Sequence, residues 1–265
     1  MKYITAGDLE ICYEIHGTGY PIVLIMGFTG NMDWWDPELI DALSQKYRVL
    51  TFDNRGAGRT ETPEEGDFSC EMFADDTSTL MDALDIERAH IFGFSMGGII
   101  AQALALRHPD KVSKLVLGGT FCGGKETVMA DPEVTKILMD TSGGMEGSFS
   151  RSLELMFPAE FIKKNPGFTK NFRERYMTAP ISAKNARRQL IASMKLSTYA
   201  NLPEIKIPAI VVTGAEDILI PPQNSHILAE RIPGAKLIEY TGAGHCFMDP
   251  KRETFLNDLM EFLDA

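Results

Sequence analysis

Short apolar runs alternate along most of the chain with longer segments in which apolar residues recur at helical spacing. The run Pro21–Met26 is apolar throughout, which is typical of a strand buried on both faces of a sheet. Segments such as Met96–Arg107 follow these runs and have the length and periodicity of covering helices. The alternation predicts an α/β fold with a mostly parallel central sheet flanked by helices.

The ends of most elements are marked by changes in periodicity and by turn residues. The predicted strands are Lys2–Thr5, Leu9–Ile15, Pro21–Met26, Tyr47–Phe52, Ala89–Phe94, Val112–Leu117, Ala209–Thr213 and Lys236–Tyr240. The predicted covering helices are Pro37–Gln45, Cys70–Leu84, Met96–Arg107, Gln223–Arg231 and Arg252–Leu263. The first two strands flank the turn Gly7-Asp8, so we expect them to form an antiparallel hairpin at the sheet edge.

The alternation is lost between Phe121 and about Pro203, where apolar and basic residues recur at helical spacing. We therefore expect residues 121–203 to form a helical lid inserted after the sixth strand. Residues 1–120 and 204–265 would then form the core domain.

The apolar residues of this lid have two interpretations. They would either face a lipophilic pocket or form the internal core of the lid, and the sequence favours neither. The residues concerned include Phe149, Leu153, Met156 and Phe157.

Ser95 is the candidate nucleophile, because it stands in Gly93-Phe94-Ser95-Met96-Gly97 between a predicted strand and a predicted helix. A Gly-x-Ser-x-Gly pattern alone is weak, but a strand that turns directly into a helix is the context of a nucleophile elbow. The strained backbone of such a turn needs neighbours without side chains, and Gly93 and Gly97 meet that need. The alternative is an ordinary tight turn that contains a serine.

His245 is the candidate general base, since a serine hydroxyl is a poor nucleophile without one. It follows Thr241-Gly242-Ala243-Gly244 directly after the last predicted strand, at the carboxyl edge of the sheet. The alternative is a histidine that merely begins a helix or turn. The other histidines are expected in a loop, at the start of a strand, at the end of a helix and in a surface helix: His16, His90, His108 and His226.

Asp217 is the candidate acid that orients the imidazole. It lies in Gly214-Ala215-Glu216-Asp217 after the penultimate predicted strand, which gives the chain order Ser, Asp, His of this kind of hydrolase. Glu216 and Asp249 are the competing carboxylates, and helix capping is the alternative role of Asp217.

Acyl transfer also needs two donors for the tetrahedral oxyanion. The residue after the nucleophile supplies one backbone N–H, which is that of Met96. The loop Gly27-Phe28-Thr29-Gly30 follows the third predicted strand, and we expect the N–H of Phe28 to be the second.

Other functional classes find little support in the sequence. The formal net charge is −11, which disfavours binding to nucleic acid or to anionic lipid. The Gly-x-Gly of Gly56-Ala57-Gly58 lacks the third glycine and the helix of a nucleotide-binding turn. No histidine pair or cysteine cluster has metal-site spacing, so we expect neither a metal nor another cofactor.

The N-terminal residues lack the apolar run of a signal peptide, and no apolar run is long enough to cross a bilayer, so we expect neither a secretory leader nor a membrane span. Its four cysteines are scattered, and we expect them to be reduced and buried in a cytoplasmic protein. They are Cys12, Cys70, Cys122 and Cys246.

Taken together, these segments resemble the α/β-hydrolase superfamily. Pro21–Phe28 is similar to its oxyanion segment, Asp53–Thr60 to the loop after its fourth strand, and Gly93–Gly98 to its nucleophile elbow. Gly214–Asp217 and Gly242–His245 resemble its acid and histidine loops. The resemblance implies the α/β-hydrolase fold, the triad named above, and the branch of carboxylesterases, enol-lactonases and carbon–carbon bond hydrolases.

Two features qualify the resemblance. Many relatives carry His-Gly where this chain has Met26-Gly27, so the support of the oxyanion loop differs. Ser95 in place of an aspartate argues against the epoxide hydrolase and haloalkane dehalogenase branches.

The expected substrate is a small, ester-like molecule, and the residues expected to bind it are Phe28, Phe121, Phe149, Met156 and Leu219. The rival hypotheses are another hydrolysis on the same triad and a slow ligand sensor that signals through a partner.

Overall fold

The computed structural model describes residues 1–265 and contains one sheet of eight strands. The strands are β1 (Lys2–Ala6), β2 (Leu9–His16), β3 (Tyr20–Ile25), β4 (Tyr47–Phe52), β5 (Ala89–Phe94), β6 (Val112–Gly118), β7 (Ala209–Gly214) and β8 (Lys236–Tyr240). The α-helices are α1 (Pro37–Ser44), α2 (Cys70–Ala83), α3 (Met96–Arg107), α4 (Pro132–Met139), α5 (Gly144–Met156), α6 (Ala159–Lys164), α7 (Pro166–Met177), α8 (Ala183–Lys195), α9 (Gln223–Arg231) and α10 (Arg252–Asp264).

The strand order β1-β2-β4-β3-β5-β6-β7-β8 confirms the predicted mostly parallel sheet. β1 and β2 form the expected antiparallel hairpin, and β2 pairs antiparallel with β4. All the other pairs are parallel. The carboxyl ends of β3, β5, β7 and β8 therefore meet at one edge of the sheet, where ligands bind in open α/β sheets.

The observed ends of the elements lie within a residue or so of the predicted ones. β3 begins at Tyr20, which pairs with Tyr47, and it ends before Met26. His16 was expected in a loop, but it is the last residue of β2 and pairs with Val49. The reason is that pairing with β4 continues after the apolar alternation of β2 has ended.

The sheet separates two apolar cores, one on each face. One core packs β-strand side chains such as Val23 and Ile91 against the buried faces of α2, α3 and α9. The other includes Phe92 and Phe255, and it continues into aromatic side chains of the segment between β6 and β7. β3 and β5 contribute to both cores, which explains why their sequences are apolar at nearly every position.

Helices α4–α8 all lie between β6 and β7, where the helical insertion was expected. An isolated bridge between Gly123 and Ser197 joins the two ends of this segment. Hydrogen bonds at two places join this segment to the loops at the sheet edge. The Met156 carbonyl accepts a hydrogen bond from the backbone N–H of Cys246 (3.1 Å), and the Thr178 carbonyl accepts one from Asn31 Nδ2 (2.8 Å). We refer to residues 121–203 as the lid, and we propose that they form a unit distinct from the core domain.

None of the helices combines the length and the apolar composition that crossing a bilayer requires.

Candidate active site

Ser95 lies at a sharp turn between β5 and α3, and its backbone has φ 56° and ψ −122°. A non-glycine residue rarely adopts such angles, and they mark strain of the kind found at nucleophile elbows. Two glycines make the turn possible. A Cβ on Gly97 would lie 2.0 Å from the Ile25 carbonyl oxygen, and one on Gly93 would lie 2.2 Å from that of Gly97.

His245 and Asp217 form a buried pair at the same edge of the sheet. His245 Nδ1 lies 2.7 Å from Asp217 Oδ2, and the side chains are 4% and 0% exposed. The second carboxylate oxygen, Oδ1, accepts the backbone N–H groups of Leu219 and Ile220, each at 2.9 Å. Because both oxygens of Asp217 are engaged, its orientation is fixed, and its Oδ2 is placed to accept a hydrogen bond from the Nδ1–H of His245.

The competing carboxylates do not contact His245. Glu216 is exposed at the surface, and Asp249 lies 3.6 Å from Arg252, which also contacts Asp36. Among the candidates from the sequence, Asp217 is therefore the carboxylate that the fold brings to the imidazole.

The imidazole of His245 lies against Phe94, the residue before Ser95. Its ring centroid is 4.9 Å from that of Phe94, and a Cβ on Gly119 would lie 3.3 Å from its Cε1 and Nδ1 atoms. The residue before that glycine, Gly118, accepts the Ser95 N–H at 2.8 Å. Ser95 Oγ makes no direct hydrogen bond to the imidazole, and such bonds are often loose without a bound substrate.

The loop after β3, residues 27–30, is called the oxyanion loop here after its expected role, and it passes close to Ser95. A Cβ on Gly27 would lie 2.8 Å from Ser95 Cβ and 3.4 Å from Ser95 Oγ, so a larger residue could not stand there. The next residue, Phe28, has a backbone N–H without a hydrogen-bond partner in the chain. Met96 is the first residue of α3, and its N–H likewise has no partner within the helix.

Met26 directly precedes this loop and supports it through backbone and packing contacts. Its carbonyl accepts Asn54 Nδ2 at 3.0 Å. Its side chain is buried against Gly30, where a Cβ would lie 2.8 Å from Met26 Cγ. The Asn54 amide therefore anchors the start of the oxyanion loop from the loop after β4.

The buried Asp53 holds the segment that follows the oxyanion loop. It accepts the N–H groups of Met32 (2.8 Å) and Arg59 (2.7 Å). Burial raises the pKa of this carboxyl, while the two N–H bonds oppose that shift. Residues 53–60 therefore have a structural role, because they hold the segment after β3 in place. The Gly-x-Gly within them forms part of a tight turn.

The residues expected to bind substrate divide into two groups. Phe28, Phe121, Met156 and Leu219 are half-buried in the loops and lid segments around the edge of the sheet. Phe149 is buried within the lid, where its ring packs against Phe172 (6.1 Å between centroids) and Tyr176 (5.4 Å). For Phe149 the structure therefore favours the internal core of the lid, the alternative that the sequence left open.

A cavity of about 730 Å³ lies between the lid and the loops after β7 and β8. Glu216, Ile218 and Gly244 line it on the core side, but Ser95 does not. It is therefore separate from the nucleophile.

All four cysteines are free and buried. Burial is the main reason that the pKa of the Cys246 thiol is raised well above its ordinary value, although this residue adjoins His245. A neutral buried thiol is a packing residue rather than a nucleophile. No group of three or more histidine, cysteine or acidic side chains lies close enough to hold a metal ion.

A sequence profile of the alpha/beta hydrolase fold matches residues 20–251 of the chain. The chain belongs to the α/β-hydrolase family. Among its relatives is a putative carbamate hydrolase RutD of Caulobacter segnis, 30% identical over 273 residues that cover 99% of this chain and 100% of that protein. Another is a putative carbamate hydrolase RutD of Azorhizobium caulinodans, 28% identical over 99% of this chain and 98% of that protein.

Solved structures give the same picture for this α/β-hydrolase. The enol-lactonase of Burkholderia xenovorans LB400 superposes with a TM-score of 0.86 and 28% identity, covering 100% of both chains. A meta-cleavage product hydrolase of Pseudomonas fluorescens IP01 superposes with a TM-score of 0.85 and 25% identity, covering 100% of this chain and 97% of that one. The protein is a hydrolase.

Three residues that support the site of this α/β-hydrolase were missed by the sequence analysis. Asp53 and Asn54 lie in the loop that resembles the family's loop after the fourth strand, but no local pattern predicts their hydrogen bonds to Met32 and Met26 on either side of the oxyanion loop. Gln189 lies in the lid and accepts the Thr29 N–H across 160 positions of sequence. No local pattern signals such a long-range contact.

Proposed function

We propose that this α/β-hydrolase is a serine hydrolase that cleaves an ester-like bond of a small substrate through an acyl-enzyme on Ser95. The observation that carries the proposal is the buried His245–Asp217 hydrogen bond of 2.7 Å beside a serine held in a strained elbow. A serine hydroxyl needs a base that is itself oriented by a third group, and these residues supply both.

In the proposed reaction, His245 accepts the hydroxyl proton of Ser95 as Oγ attacks the substrate carbonyl. Asp217 stabilises the imidazolium that forms, and the N–H groups of Phe28 and Met96 bind the oxyanion. His245 then returns the proton to the leaving group, which leaves an acyl group on Ser95 Oγ. A water deprotonated by His245 attacks that acyl group, and the acid is released as the serine regains its proton. Losing one oxyanion donor costs about 3 kcal/mol in comparable sites.

The half-buried apolar side chains at the sheet edge, Phe28, Phe121, Met156 and Leu219, support a preference for lipophilic acyl or alcohol groups. Phe149 is left out of this set because it packs within the lid.

A second candidate is the cleavage of an enol-lactone on the same triad. It is favoured by the similarity to an enol-lactonase over the full length of both chains. The ring-opening reaction uses the same acyl-enzyme, so the triad alone does not distinguish the two substrates. Carbamates join the test because relatives carry the name of putative carbamate hydrolases.

The test is a substrate panel assayed with the wild-type enzyme and with Ser95→Ala. The panel contains p-nitrophenyl esters of increasing acyl length, an enol-lactone and an aryl carbamate. We expect hydrolysis with a clear preference within the panel, and a loss of kcat of at least about 10³-fold in the variant. Equal rates in both proteins would remove Ser95 from the mechanism, and no turnover of any compound would favour a ligand sensor.

A further inference from the structure

Gln189 connects the lid to the oxyanion loop. It lies in α8, is fully buried, and its Oε1 accepts the backbone N–H of Thr29 at 2.9 Å. Thr29 directly follows Phe28, whose N–H is the proposed oxyanion donor. A lid side chain therefore holds the peptide next to the one that would bind the oxyanion.

The oxyanion loop has a conformation that needs such a support. Thr29 has φ 60°, which lies in the left-handed region that a β-branched residue seldom adopts. Within the loop, Thr29 Oγ1 donates to the Phe28 carbonyl (2.7 Å), and Gly30 N–H donates to the Gly27 carbonyl (3.2 Å). The contact with Gln189 is the one that reaches Thr29 N–H from outside the loop. Strained backbone persists where its surroundings fix it.

The chemistry of the amide also fits a position beside a developing negative charge. Because the Thr29 N–H is a donor, the oxygen of the amide must face it, and this fixes the orientation of the side chain. Nε2 then points away and has no partner in the chain. A carboxylate would accept the same N–H bond, but it would place a buried negative charge near the oxyanion.

We propose that Gln189 is a positioning residue of the oxyanion hole, which places the Phe28 N–H through Thr29 and makes a seated lid a condition for oxyanion binding. This inference rests on the proposed function, because it requires that Phe28 N–H is an oxyanion donor. Its consequence is that a residue of the lid acts on the transition state more than on substrate binding.

The first experiment compares Gln189→Met with Asn185→Leu. Both changes remove a hydrogen bond between α8 and the core, because Asn185 Nδ2 donates to the Gly56 carbonyl at 3.0 Å. Only the first bond reaches the oxyanion loop. We expect Gln189→Met to lower kcat by about tenfold or more with little change in KM, and Asn185→Leu to change kcat less than about twofold. Equal losses in both variants, or a loss confined to KM, would overturn the proposal.

The second experiment uses Gln189→Glu, which keeps the shape and the acceptor and remains informative where the methionine variant does not fold. The ratio of its kcat to that of the wild type is followed from pH 5.5 to pH 9. As the introduced carboxyl ionises, the ratio should fall by about tenfold. A ratio that stays near one throughout this range would overturn the proposal.

Ser95→Ala in the same assay distinguishes a failure of the proposed serine mechanism from a failure of the role proposed for Gln189. If it retains activity, the proposed function fails, and with it the basis of this inference. If it is inactive while the Gln189 variants behave as the wild type, the serine mechanism stands and only the role of Gln189 is rejected.

Discussion

The imidazole of His245 is confined by a backbone position that has no side chain. Gly119 has φ 50°, a left-handed conformation, and the ring lies where a Cβ would come within 3.3 Å of it. Glycine is needed here for two reasons, the backbone angle and the space for the ring. The two can be separated experimentally, since other glycines in this chain share the first requirement without the second.

Gly119→Ala should therefore impair catalysis beyond its cost in stability. The added methyl displaces the imidazole by a few tenths of an ångström, and we expect kcat to fall by about tenfold. Gly234→Ala is the matched control, because Gly234 has φ 76° and nothing within 4 Å of a Cβ. Both variants should lose about 1 kcal/mol of stability from backbone strain, measured by chemical denaturation. A normal kcat in Gly119→Ala would show that the ring is not held where the structure places it.

At the scale of single residues, the sequence predicted those site residues that stand in a recognisable local pattern. Ser95, Asp217 and His245 each follow a recognisable strand in a glycine-bearing loop, and the structure brings the last two into contact. Gln189 and Asn54 could not be found in this way, because each reaches the loop after β3 through one hydrogen bond to a distant backbone atom. Their roles depend on tertiary geometry rather than on any neighbouring residue.

At the scale of elements, a cluster of charges joins the lid to the core. Asp36 caps α1 and contacts Arg175 of α7 (3.3 Å) and Arg252 of α10 (3.0 Å). Asp249 lies beside this group, 3.6 Å from Arg252. Burial, with the charge of Asp36, raises the pKa of Asp249 to about 7. The cluster thus holds a carboxyl that changes charge near neutral pH.

Asp249 should make the stability of the protein depend on pH. The folded state keeps its proton up to about pH 7, whereas the unfolded chain releases it near pH 4. The folded state therefore binds more protons in this window, and the free energy of unfolding falls as pH rises through it. Asp249→Asn removes this contribution, so its stability relative to the wild type should rise between pH 4 and 7, by up to about 1.4 kcal/mol per pH unit.

Urea denaturation at several pH values measures this difference. Asp110→Asn is the control, because Asp110 is exposed and its side chain makes no hydrogen bond. A stability difference between Asp249→Asn and the wild type that stays constant from pH 4 to 7 would contradict the assignment.

The elements of the core were predictable for a physical reason that does not extend to the lid. Strands buried on both faces, such as β5, and amphipathic helices, such as α9, carry strong periodic signals, and their ends agree with the prediction. In the lid, apolar side chains such as Phe149 serve a local aromatic core as readily as a binding pocket. Periodicity reports that such a residue is buried, but not what it is buried against.

At the scale of the whole molecule, the candidate site exists only when distant parts of the chain come together. The candidate nucleophile Ser95 follows β5, the oxyanion loop follows β3, and the candidate acid and base follow β7 and β8. These strands share one sheet with parallel pairing, so their carboxyl ends lie side by side. The lid then contacts both the oxyanion loop, through Gln189, and the histidine loop, through Met156. The proposed chemistry is thus a property of the assembled fold.

The central claim is that Ser95 is the residue that becomes acylated. The most direct measurement is labelling of the intact protein with a fluorophosphonate, which reacts with activated serines, followed by mass spectrometry of the protein and its peptides. We predict one adduct per chain, located on Ser95, and no adduct in Ser95→Ala under the same conditions. An adduct on another residue, or equal labelling of the wild type and the variant, would contradict the account.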